Sequence, residues 1–240
     1  MKKALLFGEM TSKQIARIAK QKNKPVVILP MGATEAHGPH LPLLADSITP
    51  FELAKKVSQQ TNALVLPPLN YGFCYTLRPW AGTISLTSST FAGLIRDITK
   101  ELVRNGFDKI LFLNGHGANA SIASQALKEL ADEIRFQACI VSWWELPTLK
   151  KELGSSIGHA DENEASIIMA LTGWKKVPVK QMKSKIYFGR LIPMPKDSFT
   201  KLGYMGQVGK ESSKKGKQME KIIVKQLVEL VNANLLLEQK

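Results

Sequence analysis

Val26-Val27-Ile28-Leu29-Pro30 followed by Glu35-Ala36-His37-Gly38-Pro39-His40-Leu41-Pro42-Leu43-Leu44-Ala45-Asp46 is the stretch from which the fold can be read. Its first part is β-branched and apolar on successive positions, so both faces of the strand it forms must be covered, as in a parallel sheet between helices. Its second part is a loop holding two acids and two histidines within twelve residues. Carboxylates and imidazoles are the donors preferred by zinc, iron and manganese. Glu35 and His37 stand at i and i+2 on a chain leaving a strand, so an extended backbone points both the same way. Gly32, Gly38 and the two prolines shape and stiffen the loop.

Outward from this stretch, short apolar runs alternate with helical patterns, the signature of an α/β layer fold. Helices are expected from Thr11-Ser12 to about Gln21, over Ser47–Gln60, from Ser88 to Arg104, near Ser121–Leu130, over Ala160–Leu171 and over Lys217–Leu237. Strands are expected at Ala63–Leu66, Lys109–Leu113 and Gln137–Val141, with a short one at Gly82–Leu86. Asn70–Leu86 interrupts the rhythm with Tyr71, Phe73, Tyr75 and Trp80, and a loop of this length in a compact domain is more often functional than idle. No repeat or linker divides the 240 residues, which read as a single domain, 1–240.

Hydrophobic residues make up 44% of the chain, which suits a filled core and argues against disorder. No apolar run is long enough to span a bilayer, and Glu9 and Lys13 cut short the signal-like start Met1-Lys2-Lys3-Ala4-Leu5-Leu6-Phe7, so a cytoplasmic protein without membrane partners is expected. Cys74 and Cys139 form neither a disulfide framework nor a CxxC knuckle and read as ordinary thiols. The net charge is +13, and Lys175–Lys240 holds 15 Lys/Arg against 5 Asp/Glu. The lysines there are scattered and no recognition motif accompanies them, so the region reads as a solvated surface rather than a nucleic-acid site.

The chain has four histidines. Beyond His37 and His40 there are His116, in Asn114-Gly115-His116-Gly117-Ala118-Asn119, and His159, in His159-Ala160-Asp161-Glu162-Asn163-Glu164. The first two clusters lie where a predicted strand hands over to a loop, and in open parallel sheets ligand sites gather outside the carboxyl ends of the strands. Asp46 stands just before a helix, where a carboxylate can bridge two metals. His116, flanked by glycines, leaves room for a metal or substrate to approach. On a helix, His159 and Glu162 are three apart and share a face, which makes Glu162 a fifth ligand and turns Glu164 elsewhere. Acids at a helix start also have a plain structural use, complementing the helix dipole.

Taken together, these segments resemble the creatininase family of metal-dependent amidohydrolases. Thr34–Asp46 is similar to the family's TEQHGPHLPLxTD segment, Asn114–Asn119 to NGHGGN, His159–Ser166 to HAGExETS and Gly82–Leu86 to GTISL, with a looser match over Gly203–Gly216. The resemblance implies a three-layer α/β/α sandwich with a mainly parallel sheet and two divalent ions per subunit. Zinc comes first, with iron(II) or manganese also suited. It also implies a homo-oligomer, often a hexamer. Carried over, Glu35, Asp46 and His116 hold one metal, and His37, Glu162 and the shared Asp46 the other. His159 is the catalytic histidine that passes a proton to the leaving nitrogen, with Glu164 as its support.

Enzymes of this family that open creatinine carry a glutamate two residues after the histidine of the second motif, where this chain has Ala118. That departure points to other branches, which include a formylaminopyrimidine nucleotide deformylase and a peptidase acting on a redox-cofactor precursor. The expected substrate is a small amide, phosphorylated if the lysines or Arg190 meet a phosphate, with Tyr75, Trp80, Trp143, Trp144 and Phe73 as candidate pocket walls. The alternatives are creatinine hydrolysis, a peptidase of the same family, and a non-catalytic metal- or nucleotide-binding protein.

Overall fold

The computed structural model describes residues 2–153, 157–185, 192 and 194–236. Its elements are, in chain order, β1 (Leu5–Leu6), α1 (Ser12–Ala19), β2 (Val27–Met31), α2 (Ala45–Gln60), β3 (Leu64–Val65), α3 (Ser88–Arg104), β4 (Lys109–Asn114), α4 (Asn119–Leu130), β5 (Gln137–Ser142), α5 (Pro147–Leu153), α6 (Glu162–Thr172) and α7 (Ser213–Asn232). The five strands form one parallel sheet in the order β1-β3-β2-β4-β5. Two elements escape the sequence patterns: β1, only two residues long, and α5. Gly82–Leu86, expected as a strand, contributes a single antiparallel bridge between Ile84 and Thr34. Arg190 and Leu237, the expected end of the last helix, lie outside the described residues.

The strands alternate between two cores, as a doubly covered sheet requires. Ile28, Leu111 and Leu113 pack with Leu53, Val57, Ile167, Ile223 and Leu227 of α2, α6 and α7. Val27, Leu29, Ile110 and Phe112 pack with Phe91, Ile95, Ala123 and Leu127 of α3 and α4. The result is a three-layer α/β/α sandwich. Each fully buried aliphatic or aromatic side chain here is worth about 1.5–3 kcal/mol, large against a net domain stability of about 5–15 kcal/mol. A core of this size can therefore carry several buried charged groups at its edge.

That edge lies at the carboxyl ends of β2 and β4. The chain leaves β2 outward to β3 and returns to β4 on β2's other side, so the strand order reverses between them. Such switch points open a crevice for ligands. α2 begins directly above it. Pro50 has no N–H to donate, which leaves the carbonyl of Asp46 without its helical partner. A Cβ on Gly115 would come within 2.0 Å of that carbonyl oxygen, so glycine is what allows the end of β4 to seat against the first turn of α2.

Candidate metal centre

Glu35 and His37 leave the end of β2, Asp46 sits in the first turn of α2, His116 follows β4, and His159 and Glu164 flank the start of α6. Asp46 lies at their middle. Its Oδ1 is 2.9 Å from His37 Nε2, and its Oδ2 is 3.0 Å from His116 Nδ1. On the Oδ1 side, Glu164 Oε2 is 3.9 Å from His37 Nε2; on the Oδ2 side, Glu35 Oε1 is 3.2 Å from His116 Nδ1. His159 Nδ1 lies 3.6 Å from the same Glu35 oxygen. One carboxylate is thus shared between two half-sites.

The outer nitrogens of the rings explain the inner ones. His37 donates Nδ1–H to the carbonyl of Glu35 (3.1 Å), His116 Nε2–H to that of Phe73 (2.9 Å), and His159 Nε2–H to that of Ala36 (2.8 Å). A carbonyl only accepts, so these bonds fix each tautomer and aim the opposite nitrogen's lone pair at carboxylates. That arrangement repels unless a cation, a proton or a metal, stands between.

The electrostatics agree. Burial alone would lower His37, but the adjacent Asp46, with Glu164 and Glu35, reverses this and raises it to about 10. His116 is likewise raised well above its ordinary value, burial being outweighed by Glu35 and Asp46. Burial would raise Asp46, yet His37 and His116 hold it well below the usual carboxylate range. Burial lifts Glu164 to about 8 and pushes His159 down to about 4, the latter aided by the charge on His37. Glu35 is 1% exposed, and among the described residues neither of its oxygens accepts a hydrogen bond of proper geometry. A buried carboxylate left in this way calls for a cation. The nitrogen–oxygen donor set fits divalent zinc, iron or manganese.

The structure separates Glu162 from Glu164 in the third motif. Asp161 caps α6, accepting from the N–H groups of Asn163 and Glu164, so the helix begins only at Glu162. Ala160, at φ +51°, turns the chain before that start. His159 is therefore not on the helix, and helical spacing from it does not apply. The Glu162 carboxylate turns to Lys215, with Oε1 3.0 Å from Nζ, while Glu164 takes the place beside His37 and Asp46 that was expected for Glu162. Glu164 Oε2 also accepts from Ala160 N–H at 2.6 Å, which steadies the backbone next to His159. His40 stands apart from the cluster: its Nε2–H bonds the Ala160 carbonyl at 2.9 Å and fastens the loop.

A cavity of about 310 Å³ opens over the cluster, lined among others by Cys74, Leu77, Ala118, Trp144, Ile157 and Phe199. It shares Phe73, Thr76, Ala118 and Phe199 with a wider cleft of about 920 Å³ that reaches Tyr75, Arg78, Trp80 and Lys196. Trp143 lines neither; it is 1% exposed and packs into the core under the sheet. Successive residues of the short 3-10 turn after β5 diverge, so Trp143 points inward and Trp144 toward the cavity. Cys74, read from the sequence as an ordinary thiol, belongs to the cavity wall within reach of Glu35 and His116. Its neighbourhood depends on a loop fold that spacing does not reveal.

The model of the family described as creatininase, creatinine amidohydrolase, matches residues 8–231. The chain belongs to the creatininase family. A creatinine amidohydrolase of Pseudomonas putida is 31% identical over 71% of this chain and 73% of its own length. A 3-dehydro-scyllo-inosose hydrolase of Thermotoga maritima is also 31% identical, over 69% of this chain, which spans little more than half of that relative (55%). A mycofactocin precursor peptide peptidase of Mycolicibacterium smegmatis is 27% identical over 69% of this chain and 64% of its own. A solved structure described as creatininase Mn shares the fold, with a TM-score of 0.88 at 23% identity over 98% of this chain and 100% of that one. As a member of the creatininase family the chain is a metal-dependent amidohydrolase. No helix of the described residues is long and apolar enough to cross a membrane.

Proposed function

We propose that this creatininase-family protein hydrolyses a small non-peptide amide, a formamide carried on a phosphorylated heterocycle, with two divalent ions, zinc first. Glu35, Asp46 and His116 would hold one ion, and His37, Asp46 and Glu164 the other. Bound there, two such ions would supply Lewis acidity, which lowers the pKa of water and polarises a carbonyl oxygen. The observation that carries this reading is the division of Asp46 between two tautomer-fixed imidazoles.

The chain's own residues account for the remaining steps. His159, with Nε2–H held by Ala36, keeps Nδ1 free on the cavity side. It accepts the proton of the attacking water there and returns it to the leaving nitrogen. Glu35, 3.6 Å away, stabilises the imidazolium formed in between. Trp144, Ile157 and Phe199 narrow the cavity and limit bulk water.

Phe73 and Tyr75 stack at 6.0 Å and 11°, and the Arg78 guanidinium lies 4.9 Å from the centre of the Tyr75 ring. Aromatic faces beside Arg78 and Lys196 suit a flat heterocycle with an anionic group. Ala118 lines both cavities, which leaves no carboxylate where creatinine-opening relatives place one and favours the formamide over creatinine. The reading also carries over a hexameric assembly, to be checked by light scattering.

The experiment is an assay of metal-loaded protein with the formylaminopyrimidine nucleotide, with formate release as the expected result. Turnover of creatinine without formate would transfer the assignment to creatinine hydrolysis. Two bound ions with no turnover in a panel of cyclic amides, formamides and short peptides would leave a binding protein.

A further inference from the structure

The side chain at position 74 is 2% exposed, yet it faces the metal-site cavity rather than a hydrophobic core. Its Sγ, a carboxylate oxygen of Glu35 and a ring nitrogen of His116 all lie within 4.8 Å of one another. The backbone carrying it is fixed from three sides. Phe73 N–H donates to Asn119 Oδ1 (3.1 Å), the Phe73 carbonyl accepts from His116 Nε2 (2.9 Å), and Cys74 N–H donates to Ser85 Oγ (2.9 Å). The peptide that orients His116 thus also delivers the thiol to the same half-site. The sulfur's other neighbours are the Gly72 and Ile84 carbonyls, at 3.6 and 3.9 Å. The adjoining Glu35 carboxylate, buried and with neither oxygen in a hydrogen bond of proper geometry, independently marks this spot as one that calls for a cation.

We propose that Cys74 is a ligand of the ion held by Glu35, Asp46 and His116, giving that position a nitrogen, oxygen and sulfur donor set that selects zinc, iron(II) or cobalt over manganese. The inference rests on the two-ion reading of the cluster. The sulfur binds as thiolate: the S–H bond breaks, a sulfur–metal bond forms, the proton passes to solvent, and no oxidation state changes. Thiolate is a soft donor, and soft donors favour these ions over manganese. Cys139, half-buried on β5 against apolar neighbours, has no such surroundings and serves as the control.

Cobalt(II) gives a direct readout. Metal-free protein loaded with cobalt is expected to show a sulfur-to-cobalt charge-transfer band in the near ultraviolet. The band should persist in Cys139→Ser and vanish in Cys74→Ser while that variant still takes up cobalt. Removing a group that merely supports a ligand weakens metal affinity about 10–100-fold, so the preference for zinc over manganese should fall by at least about tenfold in Cys74→Ser. Full cobalt uptake without the band in the unmodified protein, or a band that survives in Cys74→Ser, would overturn the proposal and leave the two-ion reading standing. No cobalt uptake at all would overturn both. If Cys74→Ser fails to fold, X-ray absorption of the zinc-loaded unmodified protein decides: a sulfur shell at about 2.3 Å supports the proposal, and only nitrogen and oxygen neighbours refute it.

Discussion

Asp46 and His116, seventy positions apart in the chain, meet with Oδ2 3.0 Å from Nδ1. The contact joins the first turn of α2 to the end of β4, and the other oxygen of the same carboxylate reaches His37 on the loop after β2. It depends on Gly115, since any Cβ there would strike the Asp46 carbonyl. A shared carboxylate makes the two half-sites interdependent.

Asp46→Asn is therefore expected to lower bound metal from two ions per chain to one or none and to abolish turnover. In the unmodified protein, chelation should reduce thermal stability. An ion at 100 times its Kd contributes about 2.7 kcal/mol, which in a chain of this size corresponds to a rise in Tm of roughly 5–11 °C. Elemental analysis and thermal scans with and without added zinc check both. Two ions retained in Asp46→Asn would show that the carboxylate is not the bridge.

The two acids of α6 should separate cleanly. Glu164→Gln is expected to lose one ion and most activity. Glu162→Gln should keep both ions and lose only its partly exposed pair with Lys215, about 0–1 kcal/mol. Metal content and urea midpoints of the two variants distinguish them, and the opposite pattern would restore Glu162 to the ligand set.

His159→Ala should keep its metal and lose most of its turnover, because the ring lies beside Glu35 but outside the contacts that Asp46 makes with His37 and His116. Metal loss in step with activity would move His159 among the ligands.

His40 predicts an acid-sensitive part of the fold. Burial lowers its pKa; the Ala160 carbonyl and Glu211 act in the opposite sense, and His37 adds to the lowering. With the folded value below the unfolded one of about 6.5, the ring is neutral in both states above that pH and costs nothing. As the pH falls below it, the unfolded chain gains a proton that the folded chain resists, so stability is lost. His40→Gln retains a donor for Ala160 and should lose less of its urea midpoint between about pH 7.5 and 5.5 than the unmodified protein does. Equal losses would mean that another group carries the effect.

Much of this was legible in the order of residues. The doubly apolar run at Val26–Pro30 and its partner at Lys109–Leu113 announced central parallel strands, because a strand covered on both faces has no polar alternation to hide it. The convergence of Glu35, His37, Asp46 and His116 was legible too, since glycine- and acid-rich segments directly after such strands fall at the open end of the sheet. Gly82–Leu86 misled because a β-prone pentapeptide pairs only where a neighbour offers an edge, and here Thr34 offers one residue. Which of Glu162 and Glu164 faces His37 turned on a single cap: Asp161 starts the helix two residues later than its apolar pattern suggested.

The sequence by itself determined the layered α/β architecture, the family and the chemistry of the donor groups, because periodicity and residue type are local properties. Only the tertiary structure decided which carboxylate of α6 faces His37, that Trp143 is core and Trp144 is cavity wall, and that Cys74 stands beside Glu35 and His116. Those outcomes depend on where a helix begins, which the Asp161 cap sets locally, and on how a loop is fastened, which hydrogen bonds between segments far apart in the chain set.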